Sequence, residues 1–87
     1  MKPSKLFQRI QSSQQNVAFA DLLRLVVALG FRLDRVKGSH NIFVHSTHPE
    51  AMLNLQRVGG EAKPYQVRQL LVLVEQHDLK LDEDSHG

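Results

Sequence analysis

The hydrophobic period of this chain changes at Gly30, and that change decides most of what it can become. Before Gly30, Phe19, Leu22, Leu23, Val26 and Leu29 recur at the three-and-four spacing of one helix face. After it, apolar residues alternate singly with polar ones, the spacing of half-buried strands. Phe31 and Leu33 alternate with Arg32 and Asp34, Ile42 and Val44 with Asn41, Phe43 and His45, and Leu53 and Leu55 with Met52, Asn54 and Gln56. Gly38-Ser39 marks a tight turn, residues 46–50 with Pro49 form a loop, and Gly59-Gly60 ends the third run. Helical spacing returns at Pro64, where Val67, Leu70, Leu71 and Val74 make a stripe on a helix reaching about His77. Asn16 reads as the N-cap of the first helix and Gly30 as its left-handed stop.

The order helix, three strands, helix predicts an α+β domain over residues 16–80. Links of hairpin length favour an antiparallel sheet, because parallel neighbours need a long crossover. Each helix has a single apolar stripe, so both should cover one sheet face and leave the other open. Strand parity sends Ile42 and Val44 toward the helices, and His40 shares their parity. His40 then escapes burial only at the strand end, or if the turn breaks the alternation.

Residues 1–15 read as an N-terminal helical arm, with Leu6, Phe7 and Ile10 on one face after Pro3 and Ser4. A helix that short is marginal alone, so it should pack on the domain or on a partner. Residues 81–87 read as an acidic tail, expected to be disordered, through Asp82, Glu83 and Asp84.

Eighty-seven residues suffice for one core. The absence of cysteine excludes disulfides and thiolate metal sites and fits a reducing compartment. No apolar run approaches the twenty or so residues of a spanning helix, and no secretory signal opens the chain, so a cytoplasmic protein is expected. Residues 1–80 carry all 11 Lys and Arg against 6 Asp and Glu, a surplus of five. A basic body suits a polyanionic partner, although ordinary solubility charge would look the same.

Lys37-Gly38-Ser39-His40 is the most informative segment. Glycine and serine let the backbone turn sharply and expose N–H groups, and the flanking lysine and histidine would face a phosphate well. Imidazole titrates near neutrality, so it can take or give a proton at moderate cost. RNA cleavage by its own 2′-hydroxyl needs one proton removed, one supplied, and negative charge stabilised. The plainer alternative is a hairpin turn beside a half-exposed strand histidine.

His45, His48 and Glu50 lie near His40 in sequence, but the spacing matches no recognised ligand pattern, so no metal and no cofactor is expected. His77 and His86 read as a helix end and a tail. A second candidate site is Gly59-Gly60-Glu61-Ala62-Lys63-Pro64-Tyr65, where a glycine pair leads into a helix N-terminus that could hold an anion, with Lys63 adding charge. The alternative is a plain strand-to-helix connection. Arg32, Arg35, Arg57 and Arg68 are further cations.

Gly30-Phe31, then Lys37-Gly38-Ser39-His40 with Asn41-Ile42-Phe43-Val44-His45, resembles the HicA toxins of bacterial toxin–antitoxin pairs. Asn54-Leu55-Gln56 and the segment from Ala62 to Leu70 look like one branch of that family. The resemblance covers about residues 16–79. It implies a fold like the double-stranded-RNA-binding domain, with two helices on one side of a three-stranded antiparallel sheet. It implies a ribonuclease acting on messenger RNA through His40. On the chemistry of the residues themselves, Lys37, Gly38, Ser39 and Lys63 are the expected RNA-binding positions, with the lysines holding phosphates and the Gly38-Ser39 turn placing the histidine. It also implies a HicB-type antitoxin that covers the site. Arg57-Val58-Gly59-Gly60 departs from the proline and histidine that many members carry there. A non-catalytic RNA-binding module and a protein-interaction domain are the alternatives. The first predicts salt-sensitive binding without cleavage, and the second predicts no RNA affinity.

Overall fold

The computed structural model describes residues 2–81. The acidic tail lies outside the described residues except for Leu81. The elements run α1 (Pro3–Ser12), α2 (Phe19–Ala28), β1 (Phe31–Lys37), β2 (His40–His45), β3 (Met52–Gln56) and α3 (Pro64–His77). The strands form one antiparallel sheet in the order β1-β2-β3. This α+β arrangement is consistent with the double-stranded-RNA-binding-domain-like architecture that the resemblance implies.

Proline stands at the start of α1, where its missing N–H costs nothing. One turn on, Leu6 and Ile10 share a face, and both are fully buried. The arm is thus part of the core, packed against α2.

α2 starts two residues later than expected, and Asn16 is not its N-cap. Asn16 sits at φ 59° in the left-handed region that asparagine tolerates, turning the chain between α1 and α2. Ala18 is the cap residue and has no side chain to offer. The Phe19 N–H instead donates to the Gly60 carbonyl at 3.0 Å, so a distant loop satisfies a helix end. Leu25 joins Phe19, Leu22, Val26 and Leu29 in the core, whereas Leu23 is only partly buried.

Gly30 ends α2 at φ +100°. A Cβ there would stand 2.7 Å from His45 Nε2, so glycine is required by conformation and by space. Asp78 closes α3 in the left-handed conformation, and the Leu79 N–H returns to the Val74 carbonyl.

The sheet parity corrects one expectation. Phe43 pairs with Leu33 and Leu53, and Asn41 pairs with Leu55, so these residues share the helix-facing side with His45 and Phe31. Phe43, Leu53, Leu55 and Phe31 are buried there beneath Leu22, Leu25, Val67 and Leu70. Ile42 and Val44 face the other way, between Arg35 and Asn54 and between Arg32 and Met52. They were expected to face the helices because they are aliphatic, while Asn41 and His45 are polar. What decides the side is their pairing with β3, whose Leu53 and Leu55 must be inside.

Among the described residues, no helix is long and apolar enough to cross a membrane.

Candidate active site

The face of the sheet away from the helices carries the motif. Lys37 and His40 pair directly across a two-residue hairpin, and Gly38 holds φ +63° at its first central position. Positive φ at that position alone suits a turn whose twist matches the strands. Directly opposite residues on one face bring their side chains together, so lysine and histidine share a patch. Because parity is the reverse of that expected, His40 points to the open side without needing a broken alternation. It is exposed.

A bulge in β1 adds to this surface. Pairing shifts between Leu33 and Arg35, leaving Asp34 as the extra residue. Arg32, Arg35 and Lys37 therefore line one face, which strict alternation from Arg32 would not allow. All three are exposed. Arg35 pairs with Asp34 at 2.9 Å, whereas Arg32 and Lys37 make no salt bridge among the described residues.

Asn54 orients the histidine, and the sequence did not single it out for any such role. His40 Nδ1 donates to Asn54 Oδ1 at 3.0 Å. An amide oxygen only accepts, so the bond places a proton on Nδ1 and leaves Nε2 free to accept or give another. The signal was a polar residue between Leu53 and Leu55, but only the register of β2 on β3 sets it beside His40. Next to it, Gln56 pairs across from His40 and donates from Nε2 to Ser39 Oγ at 3.0 Å, fastening the turn to the neighbouring strand.

Lys63 is less directly placed. It is the exposed cap residue of α3 and makes no salt bridge among the described residues. Gln66, one turn into α3, donates to the Gln56 carbonyl at 3.1 Å, and Gln56 pairs with His40, so Lys63 lies toward the same end of the sheet as His40. The glycine-pair loop before it is already engaged. The Ala62 N–H donates to the Val17 carbonyl, that of Glu61 to Val58, and that of Gln66 to Lys63. Arg57 lies over the Phe19 ring at 5.4 Å, and Arg68 is exposed on α3.

The other histidines near the motif are separate from it. His45 is buried, its Nε2 donating to the Leu29 carbonyl at 2.8 Å and its Nδ1 accepting from the Thr47 N–H at 3.2 Å. Both nitrogens are occupied, and this residue caps α2 from the sheet. His48 lies beyond the far end of β2, so His40, His45 and His48 do not converge.

Chemically, the patch combines one oriented imidazole with a cationic edge on an open surface, an arrangement suited to an extended anionic polymer. No curated protein and no solved structure matches the chain. A family model described as the HicA toxin of bacterial toxin-antitoxin matches residues 19–79. That span holds α2, the whole sheet, the His40 hairpin and α3, and leaves out α1. The chain belongs to the HicA family, the toxin half of a toxin–antitoxin pair.

Proposed function

We propose that this toxin is a ribonuclease that cleaves messenger RNA through His40, with no metal ion in the reaction, and that a HicB-type antitoxin neutralises it by covering the same surface. The observation that carries this proposal is the exposed His40 imidazole, fixed through Nδ1 by Asn54 so that Nε2 is available beside Lys37. The 2′-hydroxyl loses a proton, its oxygen bonds to the adjacent phosphorus, and the 5′-oxygen leaves and gains a proton. The products are a cyclic phosphate and a 5′-hydroxyl. Nε2 serves one of the two proton transfers and water the other. Lys37 offsets the charge that builds on the phosphate, and the Gly38-Ser39 turn holds lysine and histidine opposite each other. Lys63 binds the RNA backbone further along the same end of the sheet.

The test is incubation of the purified chain with messenger RNA in excess chelator. Cleavage is expected, and His40→Ala should reduce it by about 10²–10⁴-fold while RNA binding survives. Equal cutting by His40→Ala would overturn the role of that residue. Salt-sensitive binding with intact RNA would instead identify a binding module.

A further inference from the structure

Three titratable side chains from two separate elements converge at the end of the sheet away from His40. His48 and Glu50 lie in the loop between β2 and β3, and His77 is the last residue of α3. Glu50 Oε1 stands 3.6 Å from His48 Nδ1 and 3.5 Å from His77 Nδ1. One donor atom from each residue can be chosen so that all three lie within 4.8 Å of one another.

These separations are close to what a small cation needs. Zinc holds imidazole nitrogen and carboxylate oxygen at about 2.0–2.2 Å, and tetrahedral angles then set donor atoms about 3.3–3.6 Å apart. Two edges of the triangle already have that length. The side chains are half-exposed or exposed, so small rotations can close the third edge without disturbing the core. An ion-pair account is weaker. It gains a second charge pair only by charging both rings, whose centroids are 5.3 Å apart, around one exposed carboxylate. A divalent ion uses both rings in their neutral form.

The surroundings also hold the donors in place. The His48 ring lies 5.1 Å from that of His45, which is itself locked to the end of α2. Two nitrogens and one oxygen suit zinc-class ions better than magnesium or calcium, which prefer all-oxygen shells.

We propose that His48, Glu50 and His77 form a binding site for one zinc-class divalent ion, with water as the fourth ligand, tying the loop between β2 and β3 to the end of α3. Nothing in it depends on His40, which begins β2 five residues before His45, roughly 16 Å away along the strand. It is a structural clamp, separate from the proposed RNA chemistry.

The full chain, stripped with chelator and dialysed, should be titrated with zinc chloride by calorimetry and with cobalt chloride by visible absorption. One equivalent of zinc should bind, cobalt should give the intense bands of a tetrahedral site, and zinc should raise the melting temperature. Glu50→Gln and His77→Ala should each weaken binding by at least about tenfold, while His40→Ala and His86→Ala leave it unchanged. Glu50 is exposed, so Glu50→Gln retains the fold and decides the matter if His77→Ala does not fold. Absence of saturable binding, or full-strength binding in Glu50→Gln, would overturn the site. Loss of RNA cleavage with zinc binding intact would count against the nuclease proposal alone.

Discussion

His40 and His45 lie on one strand and differ in every property that matters for chemistry. Odd and even positions of β2 face opposite sides, so His45 is built into the core and His40 is left at the surface. Asn54 then separates His40 from an ordinary surface histidine by fixing its ring. Replacing Asn54 with alanine should lower kcat for RNA cleavage by about tenfold while leaving KM and the melting temperature nearly unchanged, because the bond is exposed and orients without supporting the core. A hydrogen bond to a group that becomes charged is worth about 1.5–3 kcal/mol, and exposure places this one at the low end. Gly30 shows the opposite dependence. Gly30→Ala must strain a left-handed residue and push His45 off the Leu29 carbonyl, so unfolding in urea should show a loss of about 2–4 kcal/mol. Cleavage per folded molecule should be unaffected.

The helices and strands were mostly legible because each has its own period. The stripes of α2 and α3, the single alternation of β3 and the Gly38-Ser39 turn all have the bounds or near-bounds that the sequence suggests. The start of α2 was not legible, since Gly60, some forty residues on, supplies the acceptor a side-chain cap would have made unnecessary. The side taken by β2 was misjudged for a related reason. Its hydropathy is nearly balanced between faces, and the decision rests with the leucines of its partner. α1 lies outside the family match yet contributes Leu6 and Ile10, at 1% and 0% exposure. Fully burying an aliphatic side chain gives about 1.5–3 kcal/mol. Removing residues 1–14 should therefore cost about 3–6 kcal/mol, measurable as a lower urea midpoint.

Across the molecule, charge and shape divide the sheet's two sides. One side is the core, while the other carries Arg32, Arg35, Lys37 and His40 on an open surface. Binding there should be strongly salt-dependent, because each phosphate contact releases a counterion. Lys37→Gln should weaken RNA binding and flatten the plot of log affinity against log salt by about 0.7–0.9. A substitution that left the slope unchanged would place Lys37 outside the RNA contact. At the other end of the sheet, the loop between β2 and β3 meets the end of α3 through His48, Glu50 and His77, a juxtaposition no spacing along the chain announces.

Taken alone, the sequence settled the order of elements, the antiparallel sheet, the hairpin that carries His40 and the family it belongs to, because these follow from local period, turn chemistry and a short motif. The third dimension decided which side of β2 is buried, that a bulge aligns three cations, that Asn54 holds the imidazole and that His77 joins His48 and Glu50. Each of these depends on contacts between residues far apart in the chain, and no local pattern encodes strand register or helix placement.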